Sequence, residues 1–442
     1  KIYMRGKIVF VFCFILAVLG IVVISAEDFT ILGGSLERQS TSESFVPDYS
    51  LASGYNKTGL VQTTGISLSG LESAPIVTAD KIYALAFDKI VSYNTTSGAA
   101  WFHNVEGPVY GTPAISENII CYGEYNSFIC RNALTGQHLW NYSEIGMQFY
   151  TSSPAIINGS VWTGADGFGV NPALYSFNIT TGALVSKFLP GKVYSTNNQK
   201  VNSPSISNGV VYFTTIGPSG NEGVVYAVSA GDGITELWRR EFLNDYGAFW
   251  YGAPSIRNEK IFVGLEGNSN DFTKYPTRLM AFNKNDGSLL WEYNITDSGF
   301  IIERATPAIY AGRVIFSATD WSNTYIYAVN EDTGNLLWKS ALLPADAWST
   351  PTVADSKVVL GTSRELFVIN SNDGTTLWSD PISNGFYGIV TLTNNNMYLF
   401  DEGGNLQLYK SDIKHDEPSK TYTAGLNVLD AKAQADTILE IN

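Results

Sequence analysis

The stretch STPTVADSKVVLGTSRELFVINSNDGTTLWSD, residues 349–380, divides into four short apolar runs separated by polar turns. PTVAD, KVVLG, ELFVIN and TTLWS are each of strand length. They are rich in the β-branched and aromatic side chains that suit a pleated, half-buried surface. The segments between them carry Asp, Ser, Asn and Gly, the residues that tight hairpins demand. Four strands with three turns make a unit the size of one propeller blade.

The unit repeats along the chain. A small residue, proline, a small residue and a β-branched residue recur as SAPIV (Pro75), GTPAI (Pro113), SSPAI (Pro154), NSPSI (Pro204), GAPSI (Pro254), ATPAI (Pro307) and STPTV (Pro351). An eighth copy, FYGIVTL, has Val390 in place of the proline. Successive prolines lie 38 to 53 residues apart. A polar turn with Gly followed by Leu-Trp closes most units, ending at Trp140, Trp291, Trp338 and Trp378 in the clear copies. Looser copies end at Trp101 and Trp238, and the third unit has Ser186 at that position. A large apolar ring at a repeated place is expected to pack between adjacent blades. The eighth unit lacks a Leu-Trp strand, and GLVQTTG (Gly59–Gly65) is expected to supply it from the other end of the chain. That removes the open edge. The count is eight blades, in preference to seven or an open solenoid.

These units resemble the quinoprotein-like (PQQ-like) β-propeller repeats, which pair a Ser-Pro-Ala-Val strand with Thr-Gly-x-x-Leu-Trp. The resemblance covers about residues 30 to 411 and implies an all-β, eight-bladed β-propeller. Relatives include quinoprotein dehydrogenases, a bacterial outer-membrane assembly lipoprotein and prokaryotic surface proteins. The dehydrogenase branch implies a vicinal cysteine pair over the cofactor and calcium-binding carboxylates. Here Cys13, Cys121 and Cys130 are the only cysteines, and none are adjacent. No cofactor and no enzyme activity are expected.

Charged residues make up 15% of the 442 residues, against roughly 25% in ordinary soluble domains. The formal net charge of −14 repels phosphate backbones and excludes nucleic acid as a partner. Lys1, Arg5 and Lys7 precede an uncharged apolar run over residues 8–25, followed by Glu27 and Asp28. This reads as a transmembrane anchor or as a signal peptide cut after Ala26, and both export the rest of the chain. The organisation is then residues 1–26 as signal or anchor, 27–58 as lead-in, 59–411 as propeller and 412–442 as a tail that fits no blade. Localisation is expected at the cell membrane with the propeller outside, or secreted if the signal is cleaved. Glycosylation acceptor sites stand at Asn56, Asn94, Asn141, Asn158, Asn178 and Asn294. In NIICYGEYNSFICRN, a turn at Tyr125 and Asn126 puts Cys121 opposite Cys130, as a cross-strand disulfide or as two buried hydrophobes.

His103, His138 and His415 have no metal-ligand spacing, and none is expected to bind metal or catalyse. The turns NKNDG, NEDTG and NSNDG lack the bidentate glutamate of a calcium loop. The candidate binding surface is the position three residues before each proline: Glu72, Tyr110, Thr151, Val201, Tyr251, Arg304, Trp348 and Tyr387. Rotational symmetry gathers these at one end of the central channel, thickened by Tyr150, Phe249, Trp250 and Phe386. Tyr110, Tyr251, Arg304, Trp348 and Tyr387 would grip a peptide or a glycan by stacking, or simply pack the funnel wall. Expected partners are other membrane or surface proteins.

Overall fold

A computed structural model describes residues 56–57 and 73–410, apart from 79–80, 95–97, 191–198, 218–219, 221, 232, 244–246, 269–270, 298, 303–305, 383, 394–395 and 403–405. These residues form eight antiparallel sheets, one per repeat, and no helix. The chain is an eight-bladed β-propeller. No helix among the described residues is long and apolar enough to cross a membrane. Residues 1–26 and the tail lie outside the described residues.

The seventh blade has the strands read from the sequence: Thr352–Ala354, Lys357–Gly361, Glu365–Asn370 and Thr376–Pro381. Its first hairpin turns at Asp355 and Ser356, with φ of +47° and +57°. Two successive positive φ values give the twist that matches right-twisted strands. Asn158-Gly159, Asn208-Gly209 and Ala311-Gly312 turn the same way in other blades. The next polar turn is set by its asparagine. Asn370 Oδ1 accepts from Asn372 N at 2.9 Å, as Asn330 Oδ1 does from Asp332 N and Thr333 N. The calcium-like turns are therefore Asx hairpins.

Two sets of contacts join the blades. The first is the repeated Trp. Trp101, Trp140, Trp238, Trp291 and Trp338 each donate Nε1–H to a carbonyl of the next blade: Ala133, Ile179, Lys284, Glu331 and Ser371, at 2.7–3.1 Å. The ring covers the glycine turn of that blade. Trp378 instead meets the edge of Tyr409 in blade 8, ring centres 5.8 Å apart. At the third junction Ser186 offers no ring, and Gly233 in the facing turn has open space above it.

The second set explains why small hydroxyl residues flank the proline. Ala74 N donates to Thr112 Oγ1, Thr112 N to Ser153 Oγ and Ser153 N to Ser203 Oγ, at 2.8–2.9 Å. Ala253 N donates to Thr306 Oγ1 and Thr306 N to Thr350 Oγ1, at 3.1 and 3.0 Å. Three junctions lack that hydroxyl because the next blade presents Ala253, Ile389 or Ala74. There the residue after the proline position takes over. Ser205 Oγ donates to Pro254 O, Thr352 Oγ1 to Val390 O, and Thr391 Oγ1 to Pro75 O, at 2.6–2.8 Å. A hydroxyl-to-backbone bond thus crosses every junction, including the one between the last blade and the first.

Closure has a second component. Blade 8 consists of Thr391–Thr393, Asn396–Phe400 and Leu406–Lys410, completed by Asn56–Lys57, which pairs Asn56 with Lys410 and Lys57 with Tyr409. The strand expected at Gly59–Gly65 lies outside the described residues, and the N-terminal strand seen to pair lies just upstream of it. Thr391→Val removes the closing hydroxyl at nearly constant shape and leaves Pro75 O without it. Urea unfolding should show a loss of about 1–3 kcal/mol, restored by Thr391→Ser.

Candidate functional site

Along each blade the first strand runs away from the rim position and the second returns to it. The hairpins between second and third strands, and the links into each first strand, therefore share one face. At the channel mouth on that face the rim residues divide into two aromatic groups, while Glu72 and Arg304 lie outside the described residues.

The first group centres on Tyr251. Its φ is +53°, and Gly252 N donates to Trp250 O across it at 2.7 Å, a three-residue turn of the rare, strained hand. That bend places the Tyr251 ring 6.2 Å from Tyr110. The two belong to blades 5 and 2, which are not neighbours, so the contact spans the mouth. Tyr150 lies 5.6 Å from Tyr110, with Phe87 and Tyr125 behind them at 5.3 and 5.4 Å.

Lys200 enters this cluster from the strand Lys200–Val201. Its ammonium lies 4.6 Å from the Tyr251 ring centre and 5.6 Å from that of Tyr150, and donates to Tyr251 Oη at 2.8 Å. Asp166 Oδ2, at 3.3 Å, is the counter-charge. Asp166 is only 3% exposed and accepts from Thr151 Oγ1 at 3.0 Å. Burial pushes its carboxyl up to about 6 although Lys200 opposes the shift. Burial works against the Lys200 charge too, but Asp166 and then Tyr251 outweigh it and hold the ammonium above the usual lysine range. Tyr150 is pushed up to about 12, chiefly by burial.

The second group is Trp321, Trp348 and Tyr387. Trp348 stands edge-on to Trp321 at 5.3 Å and lies 5.1 Å from Tyr387. Trp321, at a hairpin tip with φ +70°, is 55% exposed.

Other expected rim residues belong to the core. Val201 and Phe249 are buried, Phe249 beneath Gly223, and Phe386 fills the space over Gly361 between blades 7 and 8. Lys200, Asp166, Phe87 and Trp321 were not singled out from the sequence, and Tyr125 was read only as a hairpin turn. Three of them sit at second-to-third-strand turns, which a blade-by-blade alignment of those turns would have exposed.

The remaining candidates lie elsewhere. Cys121 and Cys130 face each other on Ile119–Gly123 and Phe128–Asn132, Cα atoms 4.2 Å apart, and are bonded. His103 leans on Trp101 and His138 is exposed. Asn141, Asn158 and Asn294 are exposed, while Asn178 Oδ1 is engaged by its own turn and Asn56 lies in the closing strand. A cavity of about 320 Å³ lies beside Phe272, Ile295 and Phe300. Its carboxylate, Asp297, already accepts from Tyr327 Oη and Lys339 Nζ.

Tyr251→Gly and Tyr251→Ala separate strain from contact. Both lose the ring, but only glycine is at ease at this φ. The glycine variant should be more stable than the alanine variant by about 1 kcal/mol in urea unfolding.

Eight sheets in a ring, joined by Trp-over-glycine contacts, define a propeller of quinoprotein-like repeats. The family described as outer membrane protein assembly factor BamB matches residues 57–216, 170–321 and 322–416, and the chain belongs to it. Among solved structures, BamB from Moraxella catarrhalis is similar at 16% identity and a TM-score of 0.61, over 78% of this chain and 98% of that one. Quinohemoprotein alcohol dehydrogenase from Comamonas testosteroni is similar at 11% identity and a TM-score of 0.64, over 92% and 84%. A europium-containing methanol dehydrogenase follows at 13% and 0.61, over 86% and 89%. Identities this low carry the fold alone. No curated protein matches the sequence.

Proposed function

We propose that this chain is a non-enzymatic, membrane-tethered propeller on the extracytoplasmic side, acting as a scaffold or binding protein for other membrane or surface proteins. The observation that carries the reading is the strained turn at Tyr251, which spends backbone energy to aim a ring across the channel mouth. The same face exposes Tyr125, Ile145, Phe168, Val170 and Trp321. Aromatic anchors beside a fixed cation are the chemistry of a protein or peptide contact. Family membership supports the same choice.

The dehydrogenase reading has a specific requirement. The vicinal cysteines are missing, and Cys121 and Cys130 are bonded across strands inside blade 2. Among the described residues no group of three or more His, Cys, Asp or Glu side chains is placed to hold a metal ion. The described residues therefore lend no support to a quinone cofactor with its calcium.

Cross-linking in native membranes, with identification of the neighbours, tests the proposal. Recurrent partners joined through the Tyr110–Tyr251 face are expected. Dye reduction on adding the quinone cofactor and calcium would overturn it in favour of an enzyme. Self-neighbours alone would favour a structural layer component.

A further inference from the structure

We propose that the channel mouth is a receptor for an organic ammonium group, and that Lys200 fills it when no ligand is bound. The inference rests on reading the mouth as a binding surface and names what it binds. The Lys200 ammonium lies 5.6 Å from the Tyr150 ring centre and 4.6 Å from that of Tyr251, donating to Tyr251 Oη at its edge, and Tyr110 packs against both rings. Aromatic faces attract cations through their quadrupole, and quaternary and methylated ammonium ligands are held in such cages. The floor is the Asp166 carboxylate, buried and oriented by Thr151. A buried carboxylate beneath converging rings is costly unless a cation sits above it.

The walls come from four places in the ring: Tyr110 from blade 2, Tyr150 and Asp166 from blade 3, Lys200 from blade 4 and Tyr251 from blade 5. A clip needed only to join blades 3 and 4 would not require Tyr251, whose left-handed backbone brings it over the cation from beyond them. The Lys200 side chain is 15% exposed, so the cage is not sealed. An incoming ammonium of equal charge replaces it over Asp166, and Lys200 passes into water. Charge in the cage is unchanged by the exchange.

The test uses the whole chain at pH 8 with Nα-acetyl-Nε-trimethyl-lysine amide, a probe that has no acylable amine, and with choline in parallel. Lys200 acetylation is followed by mass spectrometry, with Lys260 as internal control. With probe at about ten times its dissociation constant for the form with Lys200 released, Lys200 labelling should rise about tenfold by mass action, and Lys260 labelling should not change. A rise with the lysine probe alone assigns the site to peptide lysines, and a rise with both assigns it to small cations as well. Unchanged Lys200 labelling with both probes overturns the inference.

Lys200→Ala gives a second reading. Trimethyl-lysine amide should raise its Tm, while Lys200→Met, whose side chain still fills the cage, should show no rise. Equal behaviour of the two variants also overturns it. Partners cross-linked through this face with Lys200 labelling unmoved would sink the ammonium assignment and leave the scaffold reading standing. Ammonium binding in a chain that has no membrane neighbours would do the reverse.

Discussion

Trp291→Ala is expected to destabilise the propeller by about 3–5 kcal/mol, the range for removing a large buried aromatic side chain. The indole lies between blades 5 and 6 with 8% of its surface exposed. It packs against Phe262 at 5.8 Å and donates to Glu331 O at 3.1 Å. Alanine leaves a cavity between two sheets and an inter-blade carbonyl without its donor. The urea midpoint should fall with little change in slope, the sign of lost stability in an otherwise unchanged fold.

The partner under that ring gives the control. Gly334 has φ +70°, and an added Cβ would lie 2.6 Å from the indole. Gly334→Ala should therefore cost backbone strain of about 1–2 kcal/mol and displace the ring as well. Gly233→Ala has similar backbone, φ +84°, but faces open space, so only the strain remains. In Trp291→Ala/Gly334→Ala the losses should fall short of additive, because the second change no longer meets a ring. If Gly334→Ala proves no worse than Gly233→Ala, the Trp does not latch the blades.

The second large effect is at the channel mouth. Lys200→Met keeps most of the side chain's bulk and removes its charge, leaving Asp166 buried with Thr151 as its hydrogen-bond donor. The expected loss at pH 8 is about 3–5 kcal/mol, the cost of stranding one member of a buried pair. Its pH dependence identifies the cause. The folded-state Asp166 carboxyl is raised from 3.8 to about 6, so the folded state binds this proton more readily than the unfolded chain. Acidification through that range favours folding at this group, and more so once Lys200 no longer opposes protonation. The penalty of Lys200→Met should therefore shrink between pH 8 and pH 5.

Glu144 and Asp297 act in the opposite sense. Against the effect of burial, Lys187 and Lys339 respectively hold them below the usual carboxylate range. Their stabilisation is present above the unfolded carboxylate pKa and is lost as pH falls through the folded one. Comparing variant with wild type at each pH cancels them. A penalty equal at pH 8 and pH 5 would mean that the loss does not come from stranding the Asp166 charge.

The ring of blades was legible because its signals are local. A blade is four strands joined by short turns, and each turn is encoded by the residues in it, as Asn370 shows by bonding two positions ahead. The Trp positions could be read as packing sites because the same large ring recurs at the same phase of the unit. The flanking hydroxyls could be seen but not understood, since the partner of Thr391 is Pro75, 316 residues away.

The mouth was only half legible. Symmetry named Tyr110, Tyr251, Trp348 and Tyr387, but the neighbours added to the rim, Phe249 and Phe386, turn into the walls. It passed over Lys200 and Asp166, because departure from the repeat is what makes them a site. Their meeting depends on blades 2, 3, 4 and 5 being bent round until side chains far apart in the chain share one small volume.

From the amino-acid order alone came the all-β class, the eight repeats, the Trp at six of the eight seams and the opposition of Cys121 to Cys130. Hairpin turns and alternating strands act over a few residues, so the order is enough to specify them. Closure of the ring decided the rest: which hydroxyls span the seams, that Asn56–Lys57 completes the last blade, and that an ammonium rests over a buried carboxylate among three tyrosines. Those contacts are set by distance in space, and distance along the chain carries no record of it.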